Sequence, residues 1–125
     1  EVICWGTGSP YREFLHVDDL GQASVFVLEN WDLDQDNAPK GTNGEPLPFL
    51  NVGTGTDISI KELANLIAKY VEFDGEIIWD TSKPDGTPKK QLDVTRINSI
   101  GWYPRISIND GVRETIDMYK KFQLP

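Results

Sequence analysis

The chain has 125 residues, 38% hydrophobic and 26% charged, which is apolar material for one compact core and excludes two. With 12 Lys and Arg against 20 Asp and Glu, the net charge of -8 argues against nucleic acid or an anionic membrane surface as partner, so an anionic ligand needs a local cationic pocket. No apolar run approaches the roughly 20 residues of a membrane-spanning helix.

Residues 1–5 read as a strand stopped by the turn at Gly6, Thr7 and Gly8. The chain opens inside this strand, without an initiator Met, and so reads as the C-terminal piece of a larger protein. Residues 13–17 look like a short strand, and Asp18 is placed to cap a helix through Glu29, with Asp18 and Asp19 as capping and first-turn charge. The Asp, Asn, Gly and Pro content of residues 31–47 marks a long surface-loop insertion without a catalytic part. Residues 49–52 suggest a second strand. A helix over 60–71 follows, with Ser59 and Glu62 at capping-box spacing and Leu63, Leu66, Ile67 and Tyr70 as its apolar stripe. Residues 75–80 give a third strand, and the prolines and glycine of 81–91 forbid regular structure. Asp93 can cap a short helix closed by Gly101, and Ser107 can cap a final one with the stripe Ile108, Val112, Ile116 and Tyr119. Three short strands and about four helices make an α/β or α+β module of the kind that serves as a lid or substrate lobe.

The two Gly-x-Gly turns, at Gly6 and Gly53, lack the third glycine of a dinucleotide fingerprint and read as tight turns. Trp5 and Arg12 flank the first. An indole that stacks and a guanidinium that forms bidentate bonds suit a base joined to a phosphate, whereas the plainer alternative is a core Trp and a surface Arg paired with Asp18 or Asp19. Lys83, Lys89 and Lys90 make a positive loop that can grip a diphosphate, with Asp85 available to a sugar hydroxyl; the alternative is three solvated lysines. His16, between apolar neighbours in the expected strand, reads as a satisfied core or interface histidine, and Cys4 as a small core residue. Cys4 has no disulfide partner, which points to a reducing, cytoplasmic setting, and one Cys with one His builds no metal site. These residues form no catalytic set.

Trp5 to Asp19, then Asn51 to Gly55, Ser59 to Leu63 and Lys83 to Arg96 resemble the C-terminal part of the GDP-L-fucose synthase family, which are extended short-chain dehydrogenase/reductases. The resemblance spans nearly the whole chain except 31–47; its segment Lys83-Pro-Asp-Gly-Thr-Pro88 is particular to that family, while the motif Arg12-x-Phe-x-His-Val-x-Asp19 is shared among nucleotide-sugar epimerases and dehydratases. It implies a substrate-binding domain over 1–125 for an enzyme that epimerises a GDP-4-keto-6-deoxy-D-mannose substrate at C3 and C5 and reduces C4 with NADPH. It further implies an NADP-binding Rossmann domain and all catalytic residues upstream, no cofactor held by this piece, no activity for it alone, and a homodimer when intact. By the same resemblance Trp5 and Arg12 bind substrate, Lys90 contacts the GDP diphosphate, and Lys83 and Asp85 belong to the same loop. The substrate lobe of another nucleotide-sugar epimerase or dehydratase, and a stand-alone nucleotide-sugar binding module, are the alternatives.

Overall fold

Caps and apolar periodicity fix the helices, whereas the strands are set by long-range pairing. The computed structural model describes residues 1–36 and 38–122. Strands β1 (Val2–Trp5), β2 (Tyr11–Arg12), β3 (Ile58–Ser59), β4 (Ile77–Asp80) and β5 (Lys89–Lys90) are interleaved with helices α1 (Val17–Asn30), α2 (Ile60–Tyr70), α3 (Thr95–Ser99) and α4 (Ile108–Phe122). β1 and β4 form a parallel pair, from Val2 opposite Ile77 to Trp5 opposite Asp80. In the second sheet β2 is central, antiparallel to β3 and parallel to β5.

The capping box forms as the sequence indicates. Ser59 Oγ accepts from Glu62 N at 3.1 Å, and the Glu62 carboxylate accepts from the Ser59 hydroxyl at 2.6 Å and from Ser59 N at 2.9 Å; the hydroxyl, and after it the backbone N–H, hold the Glu62 carboxyl below its ordinary pKa. Ser107 Oγ accepts from Asp110 N at 3.1 Å at the start of α4, while the N-cap of α3 is Val94 rather than Asp93, which accepts from Thr95 N at 2.9 Å from one residue earlier. α2 and α4 pack on each other, while Ala23, Ile97 and Trp102 form a buried core on which Leu15, Phe26, Val27, Leu50 and Val52 pack. Burying a side chain such as Ile97 contributes about 2 kcal/mol. On the outer side of α1, Val17, Leu20, Val25 and Leu28 remain exposed.

Several expectations need correction. Residues 13–16 carry no ladder; the strand lies earlier, at Tyr11–Arg12, and His16 rather than Asp18 caps α1, its Nδ1 accepting from Asp18 N at 3.3 Å. Asp19 does lie in the first turn of α1, but it is buried there. Only 1% exposed, it accepts from Arg105 N at 3.1 Å and from Ile106 N at 2.9 Å, clamping α1 to the approach to α4. Residues 49–52 form no strand: Leu50 and Val52 are apolar because they pack on the core, and no ladder partner lies beside them among the described residues. The 81–91 loop is not wholly irregular, since Pro88, which has no N–H to donate, accepts from Tyr11 N at 2.8 Å and leads into β5. The described part of 31–47 has no helix and only an isolated bridge, Lys40 to Pro46, yet Ala38 and Leu47 are buried, so it is not purely surface; residue 37 lies outside the described residues.

Replacing Asp19 by Ala strands two backbone donors and is expected to destabilise the full-length protein by about 2–3 kcal/mol, against about 0.5 kcal/mol or less for Asp18→Ala. Denaturant titration followed by circular dichroism checks the contrast; equal effects would refute the clamp.

Candidate functional site

The site grows from the end of β1. Past Trp5, Gly6 N donates to Asp80 O at 3.0 Å, and the backbone turns with φ +81° at Gly6, where a Cβ would lie 2.3 Å from Asp85 Oδ1. Only glycine satisfies both the left-handed backbone and the approach of that carboxylate. Asp85 Oδ1 accepts from Thr7 N at 2.8 Å, and Oδ2 accepts from Thr7 Oγ1 at 2.6 Å and from Ser9 Oγ at 3.4 Å. The Thr7 hydroxyl, and after it the Thr7 amide, hold the Asp85 carboxyl below its ordinary pKa. The strap fixes the lysine-bearing loop against the turn, and Lys83 Nζ lies 5.7 Å from the centre of the Trp5 ring, a cation–π contact.

β2 carries the next part. Its register puts Arg12 opposite Lys90, and both line a groove of 560 Å³ together with Glu13, Val52, Gly53 and Leu92. Arg12 Nη1 donates to Tyr11 O, and a Cβ on Gly86 would stand 3.2 Å from Arg12 Nη2, so the guanidinium lies against the loop that carries Lys83 and Asp85. Lys89 is diverted: its Nζ meets Asp57 Oδ2 at 3.0 Å, and the Asp57 side chain is only 14% exposed. Among the described residues, Arg12 and Lys90 have no carboxylate partner within salt-bridge distance, which leaves two cations side by side in the groove.

Of the residues singled out from the sequence, Arg12 and Lys90 share one hollow, while Trp5, Lys83 and Asp85 form a second cluster joined to it through the loop between Asp85 and Lys90. Trp5 does not line the groove and is not a core residue: it is 73% exposed. Arg12 does not pair with Asp18 or Asp19. His16 lies outside any strand, with its side chain 9% exposed, beside an apolar crevice of 410 Å³ lined by Leu63, Ile67, Val112 and Ile116. Cys4 is half-buried in β1. Sequence reasoning missed Glu13 and Asp57. Glu13 falls at an unspecified position of the Arg12-x-Phe motif, and Asp57 had no signal because its partner is 32 residues further along at Lys89.

Residues 1–39 match the NAD dependent epimerase/dehydratase family. GDP-L-fucose synthase 1 of Arabidopsis thaliana is 45% identical over 121 residues, covering 97% of this chain and 33% of that protein. The GDP-L-fucose synthase of Escherichia coli K12 is 46% identical over 123 residues, covering 98% of this chain and 37% of that protein. The chain is a relative of the GDP-L-fucose synthases. It spans about a third of the length of these curated relatives. Among solved structures, a GDP-6-OMe-4-keto-L-xylo-heptose reductase from C. jejuni superposes with a TM-score of 0.80 at 38% identity, over 95% of this chain and 33% of that one. The small α/β arrangement is therefore that of about a third of the epimerase/dehydratase fold.

Because its folded pKa is depressed, Asp85 contributes stability that is present above the ordinary aspartate range and lost as pH falls through the lower folded value. Carboxyl NMR titration of the full-length protein should give Asp85 a midpoint below that of a free aspartate, and a midpoint at or above it would remove the strap. Thr7→Val should move the midpoint upward.

Proposed function

We propose that this chain grips the GDP moiety of a GDP-sugar for a GDP-L-fucose synthase, the full enzyme converting GDP-4-keto-6-deoxy-D-mannose to GDP-L-fucose. The observation that carries the reading is the pairing of Arg12 with Lys90 across β2 and β5, in one groove, on a chain whose net charge is -8. A guanidinium offers two parallel N–H donors to phosphate oxygens, and an ammonium beside it adds a point charge, so the pair suits a diphosphate. Trp5 presents an exposed ring next to that grip, with Lys83 over it, and suits the flat or apolar side of a base or sugar. Asp85 braces the turn that carries Trp5 toward this loop, and the lone pair left on Oδ1 suits a sugar hydroxyl.

NADP(H) supplies hydride in the full enzyme. The residues here do not fit a dinucleotide cradle, because the Gly6 turn leads into β2 and the Gly53 turn into β3 rather than each opening a helix. Cofactor binding, epimerisation and reduction accordingly belong in this reading to sequence beyond these 125 residues, an assignment supported by relatives about three times as long. The likeness to the C. jejuni heptose reductase favours a second reading, in which the GDP grip is the same and the sugar differs.

Calorimetric titration of the full-length protein with GDP tests the grip. Arg12→Ala is expected to weaken binding by about 1.5–3 kcal/mol, as for a lost charge-assisted bond, and unchanged affinity would remove Arg12 from the site. Preference for UDP or dTDP over GDP would defeat both readings, and turnover of a GDP-heptose but not of the 6-deoxy sugar would select the second.

A further inference from the structure

The carboxylate of Glu13 stands in the groove of Arg12 and Lys90, where a free negative charge would oppose a diphosphate. Its oxygens are instead occupied by donors from two other parts of the chain. Oε1 accepts from Gly55 N at 2.6 Å and from Thr54 Oγ1 at 3.3 Å, and Oε2 accepts from Leu92 N at 2.7 Å. Gly53 makes room for the group, since a Cβ there would lie 2.5 Å from Oε1. Gln91 closes the same junction by donating from Nε2 to Gly55 O. One carboxylate thus joins the continuation of β2, the 53–55 turn and the continuation of β5.

This junction answers a weakness of the local sheet. The β2–β5 ladder consists of Tyr11 opposite Lys89 and Arg12 opposite Lys90, and so short a pairing does not fix its own register. A slip by one residue would send the Lys90 side chain to the other face and bring Lys89, or the side chain of Gln91, opposite Arg12. The bond from Leu92 N to Glu13 lies just past the ladder and fails if β5 slips. We propose that Glu13 is the positioning residue of the anion grip: it locks the register that sets Lys90 beside Arg12, and its oxygens, held by Gly55 N, Thr54 Oγ1 and Leu92 N, form no ion pair with either cation. The inference rests on the reading of this groove as the grip on a GDP diphosphate.

A double-mutant cycle on the full-length protein tests it, with GDP and NADPH affinities measured by calorimetry. Glu13→Gln exchanges one acceptor oxygen for an amide that cannot accept from Leu92 N or Gly55 N. It is expected to weaken GDP binding about 10-fold or more, yet by less than about 3-fold in the Arg12→Ala background, because the grip is then already broken. NADPH affinity should stay within about 2-fold, which general loss of structure would not allow. Glu13→Asp keeps the charge but is one methylene too short to reach both amides; it should give a smaller loss with the same coupling, and it carries the test if the Gln variant does not fold. Equal losses with and without Arg12, or a matching loss of NADPH affinity, would overturn the proposal. If Arg12→Ala weakens GDP binding and the Glu13 variants do not, the role of Glu13 falls while the grip stands. If the unaltered protein fails to bind GDP, both fall.

Discussion

Two residues of extended backbone hold the site together. Tyr11 and Arg12 accept β3 along one edge and β5 along the other, and so bring chain from beyond residue 57 and from beyond residue 88 to the same place. The turn before them is tied to α2 as well: Pro10 O accepts from Ile60 N at 3.0 Å and Gly8 O from Lys61 N at 2.9 Å. The short strand is weak alone, because each ladder has only two residue pairs; what fixes it is the set of side-chain bonds at its ends, from Asp85 before it and Glu13 after it. The Asp85 strap sets where Trp5 and Lys83 meet, and the Glu13 junction sets where Arg12 and Lys90 meet.

The electrostatics follow from this placement. A chain with 20 acidic residues repels anions at long range, and screening confines that field to about 10 Å at 0.1 M salt. Inside the groove the local balance is reversed, because Asp57 takes Lys89, backbone amides hold Glu13, and the Thr7 hydroxyl and amide hold Asp85, so that among the described residues Arg12, Lys90 and Lys83 have no carboxylate within salt-bridge distance. Three carboxylates close to the cations are therefore arranged so as not to neutralise the pair that faces the groove. Such selectivity costs backbone freedom, which is why glycine occupies positions 6 and 53, where a Cβ would strike Asp85 or Glu13.

The helices were legible because their signals are local. Ser59 with Glu62 and Ser107 with Asp110 each announce a cap within three residues, and both caps form, whereas Asp93 holds Thr95 N from one residue before the N-cap position of α3, which is Val94. The strands β2, β3 and β5 were not legible, since two residues carry no alternation and the pairing that defines them joins positions up to 78 apart in sequence. Residues 49–52 misled for the opposite reason: an apolar run looks alike whether it pairs or only packs. The same division applies to the site. Arg12 and Lys90 could be chosen as residue types from charge and motif, but their shared groove, the diversion of Lys89 to Asp57 and the burial of Asp19 against Arg105 and Ile106 depend on long-range contacts. Trp5 was expected to share one cleft with Arg12, but its ring lies against Lys83 and does not line the groove of Arg12 and Lys90, a contact the sequence did not announce.

The most direct test of the account is a crystal structure of the full-length protein with GDP bound. The diphosphate should lie between the Arg12 guanidinium and the Lys90 ammonium, with β2 and β5 in the register described here and the Glu13 carboxylate still on Gly55 N and Leu92 N. A diphosphate bound elsewhere on the molecule, with Arg12 and Lys90 touching none of its oxygens, would contradict it.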